Sequence, residues 1–392
     1  MSDFRTQRAP AGPRTASRPW RHFHRLAWLA VALALGVIVF GAFVRLSDAG
    51  LSCPDWPTCY GRAAWPTAVE QGDGHAATSI RPVEVHKAWR EQAHRMVAGL
   101  LGALTLALAL LAARRRPRGI AQVVAASALV ALAIPLYMRG LHVAASALAI
   151  AGELILLAAA VRWGNRDLSR VGALTLAMII LQALLGMWTV TWLLKPVVVM
   201  GHLLGGLTTF SLLLWMAWRA TNLPIRLAQA AQLQRWVILG VVLLGVQIAL
   251  GGWTSANYAA LSCGTDFPTC VGRWWPPTDF REGFVLWRGI GVDYEGGILD
   301  GQARIAIQMA HRIGAVLVAS YLLWLALRML RTPGIRGWAS TLGVLVLVQL
   351  GLGIANVKLA LPLGNAVAHV AGAVLLLAVL VSLLARLRAP EA

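Results

Sequence analysis

Apolar residues along this chain come in long unbroken runs rather than in alternation or in amphipathic stripes. Stretches of about 18 or more residues with almost no charge, the length that crosses a bilayer core as a helix, lie near 26–44, 96–113, 120–138, 143–161, 171–194, 197–218, 236–254, 305–327, 338–357 and 361–385. The pattern predicts ten spanning helices, and so an all-α integral membrane protein. Composition agrees: 58% of the residues are hydrophobic and only 13% charged, which is outside the range of ordinary soluble domains.

Charge then orients the spans. The net charge of +19 invites a nucleic-acid partner, but the basic residues sit between spans rather than on one soluble face, so no nucleic acid is expected. With the N-terminus in the cytoplasm, the cytoplasmic side receives Arg5, Arg8, Arg14, Arg18, Arg21 and Arg25, then Arg114, Arg115, Arg116 and Arg118, then Arg162, Arg166 and Arg170. Arg219, Arg226 and Arg235, Arg328, Arg331 and Arg336, and finally Arg386 and Arg388 follow on the same side. The short outer loops hold little beyond Arg139, Lys195 and Lys358, as the positive-inside rule requires. Both termini are then cytoplasmic, and two long loops, roughly 46–91 and 256–303, face outward. Residues 1–25 read as the basic cytoplasmic tail of a bacterial inner-membrane protein rather than a mitochondrial transit peptide, being Pro-broken and flush against the first span. That first span is too long for a signal peptide's apolar region and lacks a small-residue cleavage site, so it is read as retained.

The chain is duplicated. Asp55-Trp56-Pro57-Thr58-Cys59-Tyr60-Gly61-Arg62 matches Asp266-Phe267-Pro268-Thr269-Cys270-Val271-Gly272-Arg273, with Trp-Pro after each. EQAHR ending at Arg95 matches QMAHR ending at Arg312. Gln182 precedes Gly186 by four positions and His202 by twenty, and Gln349 stands in the same relation to Gly353 and His369. The first half carries about 50 extra residues, which places an inserted transmembrane hairpin at 114–170. The expected organisation is a tail at 1–25, a four-helix bundle from 26–113 and 171–219, the hairpin, and a second four-helix bundle at 235–388. Parallel repeats of this kind are related by an axis along the membrane normal.

Four of the nine histidines occupy equivalent places: His94 with His202, and His311 with His369. Each is read as lying within about the first two turns of a span from the outer side, so each pair can face across its bundle at one depth. Ionisable side chains inside a membrane bundle are costly and so are functional candidates by default. No cysteine or carboxylate cluster completes a zinc shell around them. Opposed imidazoles in an apolar four-helix cage suit the axial positions of a haem, and the lack of Cys-x-x-Cys-His rules out covalent attachment. His142 reads as a packing residue of the hairpin, and His22, His24, His75 and His86 carry no assigned role.

The halves differ where chemistry needs a difference. Glu91 stands three residues before His94, on the same helix face, whereas the second half has Gln308 there. A carboxylate can take a proton; an amide cannot. Arg45 likewise faces only Ser255 in the alignment. Arg95 and Arg312 follow their histidines at the outer interface, where they can pair with haem propionates or snorkel to headgroups. The first half therefore reads as reactive and the second as a holding site.

All four cysteines lie in the two outer loops, on the oxidising side where disulfides persist. Cys53 with Cys59 and Cys263 with Cys270 are close enough in sequence for each loop to close on itself, and two structural staples over two haem sites is the leading reading. A redox role for one pair, by thiol exchange, is the alternative.

These residues together resemble the heme A synthase family. The likeness covers roughly 26–113 and 171–386, and its most specific element is E-x-x-H-R at Glu91 to Arg95. The paired outer-loop cysteines, the GMWTV segment at Gly186 to Val190 and the four helix-borne histidines support it. The resemblance implies that the first bundle binds heme o as substrate through His94 and His202. It implies a b-type haem cofactor on His311 and His369, and Glu91 as the essential carboxylate. The implied reaction is oxidation of the porphyrin C8 methyl to a formyl by two hydroxylations and loss of water, giving heme a for terminal oxidase assembly. Implied partners are a heme o synthase that supplies the substrate, an unidentified electron acceptor, the lipid bilayer, and a second copy of the chain in a homo-oligomer. The family pattern has eight spans, so the hairpin is a departure from it. It also makes a redox role possible for Cys53 and Cys59. Two readings from other classes fit the histidine spacing: a two-haem cytochrome b-type electron carrier and a haem-handling or export protein. Pure electron transfer gives no reason for one asymmetric carboxylate beside a ligand, and a haem-handling protein predicts no change in the extracted haem.

Overall fold

A computed structural model describes residues 22–72, 78, 82–164 and 167–390; most of the basic tail, together with His75 and Arg166, lies outside the described residues. Among the described residues, ten helices are long and apolar enough to span a membrane. They are α1 (Phe23–Leu46), α2 (Val85–Ala113), α3 (Gly119–Met138), α4 (His142–Trp163), α5 (Ser169–Thr191), α6 (Pro196–Thr221), α7 (Ala230–Ala256), α9 (Gly301–Leu330), α10 (Arg336–Lys358) and α11 (Leu363–Arg386). A one-turn helix, α8 (Phe280–Gly283), interrupts the second outer loop. The chain is thus an all-α, multi-pass membrane protein. Its helices keep large apolar side chains on their outward faces, such as Val143, Val161, Leu317 and Leu347, a surface that only lipid solvates well.

The helices start and stop where the local chemistry dictates. Pro196 opens α6 at its first turn, where a missing N–H costs nothing. Asp300 caps α9 by accepting from the Ala303 N–H at 2.8 Å. The apolar runs misplace several starts, however, and two of them bear on the site. α2 begins at Val85 and α9 at Gly301, ahead of the apolar runs at 96 and 305, so the first outer loop ends near 84 rather than 91. Polar turns extend these helices beyond the apolar run because their side chains bond the loop above. Gln92 Nε2, for example, donates to the carbonyls of Ala63 at 2.8 Å and Pro57 at 3.2 Å. In consequence His94 stands nine positions after the start of α2 and His311 ten after that of α9, in the third turn rather than the first two. His202 and His369 each stand six positions in.

Helices α1, α2, α5 and α6 pack as a ring, each against its two neighbours, and α7, α9, α10 and α11 form a second ring. α3 and α4 pair with one another and lean on α2 and α5 from outside the first ring. The rings meet along α1 and α6 against α7 and α11, where one apolar core runs through both, from Phe23 and Phe210 to Leu322 and Leu380. Polar contacts pin this joint: Trp218 Nε1 donates to Ser382 Oγ at 2.8 Å. A two-residue parallel pairing of β1 (Ile225–Arg226) with β2 (Leu387–Arg388) ties the linker between the bundles to the end of α11. Nothing in the apolar pattern announces so short a pairing.

The duplication extends to the backbone. Left-handed residues recur at matched places: Asp48 and Tyr258 after the first helix of each ring, Tyr60 and Val271 beyond the second cysteine, and Leu193-Leu194 and Ala360-Leu361 between the last two helices. Side chains disfavour this conformation, and a β-branched valine most of all. Its retention at Val271 shows that the loop geometry, rather than the residue type, sets the turn.

Candidate functional site

The four histidines hang in the two rings in matching fashion. Each lies against a glycine on the preceding helix of its ring. A Cβ on Gly41 of α1 would come within 2.8 Å of His94 Cε1, and one on Gly186 of α5 within 3.2 Å of His202 Cε1. On Gly251 of α7 and Gly353 of α10 it would come within 3.1 Å of Cε1 of His311 and of His369. Any side chain at these positions would push the ring away, so the glycines define the ring positions. Gly186 and Gly353 are visible in the sequence as markers of the repeat; their function as ring seats is visible only when the helices are packed. Phe40 adds an edge-on contact to His94, with ring centroids 5.9 Å apart.

Each ring therefore holds two imidazoles and no third ligand: among the described residues there is no group of three or more His, Cys, Asp or Glu side chains placed to hold a metal ion. Nδ1 of His94, His202 and His369 is buried without a hydrogen-bond partner. Orphaned buried ring nitrogens are costly, and two imidazoles on different helices of one apolar ring would suit a haem iron. The donor set fits that group and no tetrahedral ion.

Above the first ring, Glu91 is almost fully buried, at 5% exposure. Its Oε2 accepts from the Cys53 backbone N–H at 2.8 Å and from Ser52 Oγ at 3.0 Å, and its Oε1 from Arg95 at 2.5 Å. Arg95 also donates to the carbonyls of Asp55 and Thr58 at 2.8 Å and of Cys53 at 3.1 Å. The second ring keeps the arginine and lacks the carboxylate. Arg312 donates to the carbonyls of Thr269 and Asp266 at 2.8 and 2.9 Å, while Gln308 is buried with its Oε1 unpartnered. In both rings the arginine thus helps hold the outer loop. Arg45 bridges the two rings, donating to Tyr258 OH at 3.0 Å and to the Ser255 carbonyl at 3.1 Å.

Both outer loops are closed by disulfides, Cys53–Cys59 and Cys263–Cys270, each with a Cα separation of 4.7 Å. Beyond each disulfide the chain turns back identically: Cys59 and Arg62 exchange backbone hydrogen bonds, as do Cys270 and Arg273. Asp55 organises the first turn. Burial pushes its carboxyl pKa up, but bonds from the Thr58 hydroxyl and the N–H groups of Gly61 and Tyr60 outweigh this and hold it below the usual carboxylate range.

Sequence reasoning missed how far the second loop reaches. Tyr294 crosses to the first ring and is buried against Leu51, Val190 and Leu194, its N–H donating to the Leu193 carbonyl at 3.1 Å. Trp287 lies over Lys195, with Nζ 3.3 Å from the ring centroid. Lys195 was legible only as a sparse outer charge, yet its residue is fully buried and burial lowers its pKa. Between the loops lies a partly open cavity of about 450 Å³, lined by Asp48, Ser52, Tyr60, Lys87, Tyr258 and Glu295 among others. Ser52 also bonds Glu91, so the carboxylate is one hydrogen bond from this outer cavity.

The chain matches the COX15-CtaA family, described as cytochrome oxidase assembly protein, over residues 24–141 and 141–381. It is 38% identical to the Heme A synthase of Shewanella oneidensis over 370 residues, 92% of this chain and 96% of the relative. It is 27% identical to the Heme A synthase of Caulobacter vibrioides over 390 residues, 93% of this chain and 96% of the relative. A shorter match to the Heme A synthase of Methylobacterium radiotolerans, 32% identical, covers 42% of this chain and 43% of the relative. With both halves matched and the histidine seats repeated in each, the chain belongs to the COX15-CtaA family of cytochrome oxidase assembly proteins.

Proposed function

We propose that this protein is a heme A synthase that oxidises the C8 methyl of heme o to a formyl in its first ring, with a b-type haem held in its second. The observation that carries the assignment of rings is the pairing of Glu91 with Gln308: two matching bis-histidine seats, of which one has a carboxylate three residues from its histidine. The names of the relatives support heme a as the product, and the family resemblance supplies heme o as the substrate. His94 and His202 would hold the substrate iron, and His311 and His369 the cofactor iron. The haem groups supply the redox chemistry when bound. Glu91 supplies the proton acceptor, fixed by Cys53, Ser52 and Arg95, on the side of the outer cavity from which water can enter. Arg95 keeps the first loop closed over the site, and the second loop adds Tyr294 and Trp287 to that cover. The excess of arginine in alternate loops supports cytoplasmic termini and a bacterial inner membrane. A heme o synthase upstream, an electron acceptor and a second copy of the chain are the partners this reading calls for.

The test is to express the chain with a source of heme o, extract the noncovalent haem and identify it by mass. Heme a or its hydroxylated precursors are expected from the wild type, and unmodified haem alone from Glu91→Gln. Unmodified haem from the wild type overturns the proposal and favours an electron carrier or a haem-handling protein.

A further inference from the structure

The histidine seats repeat four times, not twice, and one of the four is built differently. In three of them a glutamine stands four residues before the seat glycine: Gln182 before Gly186, Gln247 before Gly251 and Gln349 before Gly353. In the same three a second glycine stands three residues after the histidine: Gly205, Gly314 and Gly372. Packing explains the pairing. A Cβ on Gly205 would lie 1.9 Å from Gln182 Nε2, one on Gly314 2.3 Å from Gln247 Oε1, and one on Gly372 2.2 Å from Gln349 Oε1. Each glycine makes the room its glutamine fills. In the seat of His94 both positions are changed together, to Val37 and Val97.

The amides grip the histidine segments across the helix pair. Gln247 Nε2 donates to the His311 carbonyl at 3.0 Å and lies 3.0 Å from its Nδ1. Gln349 Nε2 donates to the His369 carbonyl at 3.0 Å and lies 3.4 Å from its ring Nε2. The carbonyl oxygens of both amides are buried and unspent. A partner that fixes a ligand's helix segment and lies against its ring holds the imidazole in place, and each of these amides does both through its nitrogen. Gln182 stands at the same position in the seat of His202, packed against Gly205, with its amide nitrogen buried and unpartnered. His94 has only the two valines at the corresponding positions, with no amide to grip its segment.

Resting on the haem-synthase reading, we infer that Gln182, Gln247 and Gln349 are positioning residues that lock three haem ligands, and that the Val37 and Val97 pair leaves His94 as the one ligand free to release its iron. The second ring, locked on both sides, retains its haem. The first ring, locked on His202 alone, admits and discharges one, as a ring that turns over a haem substrate must. The unlocked ligand belongs to the helix that carries Glu91.

Haem loss tests this without turnover. The purified full-length protein, loaded with ferric haem b (hemin), is mixed with excess apomyoglobin and the transfer followed by absorbance. The wild type should release haem in a fast and a slow phase. Val37→Gln with Val97→Gly, which builds the missing lock, should slow the fast phase by roughly tenfold or more, the usual worth of a partner behind a ligating histidine, and leave the slow one alone. The reverse transplant, Gln247→Val with Gly314→Val, should speed the slow phase by a similar factor and weaken the low-spin ferric spectrum of that haem. A gain of retention in the first variant is beyond what a merely structural role can produce. If that variant fails to fold, the reverse transplant decides alone. Unchanged phases in the folded variants overturn the inference while leaving the synthase reading intact if heme a is made. Two responsive phases without heme a sink the reaction and keep the lock. Failure to bind haem at all overturns both.

Discussion

Glu91 receives the backbone N–H of Cys53 at 2.8 Å, so the carboxylate three residues from a buried histidine is also the anchor of the disulfide loop above it. One side chain thereby couples the cover of the first ring to its interior, and the second ring, with Gln308, has no such coupling. Glu91→Gln should separate the two roles. The amide can still accept from Cys53 but cannot take a proton or balance Arg95. The variant should fold and retain haem, and product formation should fall by at least about 100-fold, the lower range for loss of a general acid–base group. Mass analysis of extracted haem checks this; near-normal heme a would remove Glu91 from the chemistry.

Arg95 reaches three loop carbonyls and Glu91 at once, a fan of bonds that a lysine ammonium cannot reproduce. Arg95→Lys should leave the bundle intact and loosen residues 51–65, seen as faster amide hydrogen exchange there than in residues 261–275. Arg312→Lys should give the mirror result. Equal exchange in both loops of both variants would show that the guanidiniums do not hold them.

The Cys53–Cys59 bond closes a very short loop, for which chain entropy gives a stabilisation of roughly 2 kcal/mol. Replacing both cysteines by serine should lower the yield of folded protein and leave product per folded molecule within about twofold, because Glu91 and Arg95 grip the loop independently of sulfur. The ratio of heme a to total haem in the purified variant is the measurement. A collapse of that ratio at normal yield would favour thiol exchange as part of the reaction.

Asp55 gives the first loop an acid limit. Its folded carboxyl pKa lies below its unfolded value, so the stabilisation it contributes is complete above the ordinary range near 3.9 and is lost as pH falls through the lowered value. Protection of the Tyr60 and Gly61 amides, measured relative to their intrinsic exchange rates, should therefore hold at neutral pH and fall in acid below about pH 4. Asp55→Asn should remove most of the pH dependence.

The seat glycines admit a sharper substitution. Gly41→Ala places a methyl 2.8 Å from His94 Cε1, and the ring must move. Haem bound to the first ring should fall severalfold, read as loss of one of two haems per chain, while Gly99→Ala on the open face of α2, with nothing within 4 Å, should change nothing.

How much of this was legible beforehand follows from where each signal resides. The ten spans, the duplication, the inserted pair of helices, the four histidines and the Glu91 and Gln308 contrast are all readable in the chain itself. Bilayer thickness fixes the length of an apolar run, and a repeat preserves its spacing. What packing alone decided was everything that depends on two distant segments touching. That Arg95 and Arg312 bond carbonyls of the loops above them is visible only in the fold. Lys195 passed for an outer charge until Trp287, 92 positions later, covered it. The start of α2 ran past its apolar segment because Gln92 found carbonyls to bond above the membrane. Gly41, Val37 and Val97 carry no sign in sequence of facing the same histidine seat; they acquire that meaning only when α1 lies along α2. Hydrophobic periodicity reports how a segment meets its solvent, and only tertiary contact reports what it meets instead.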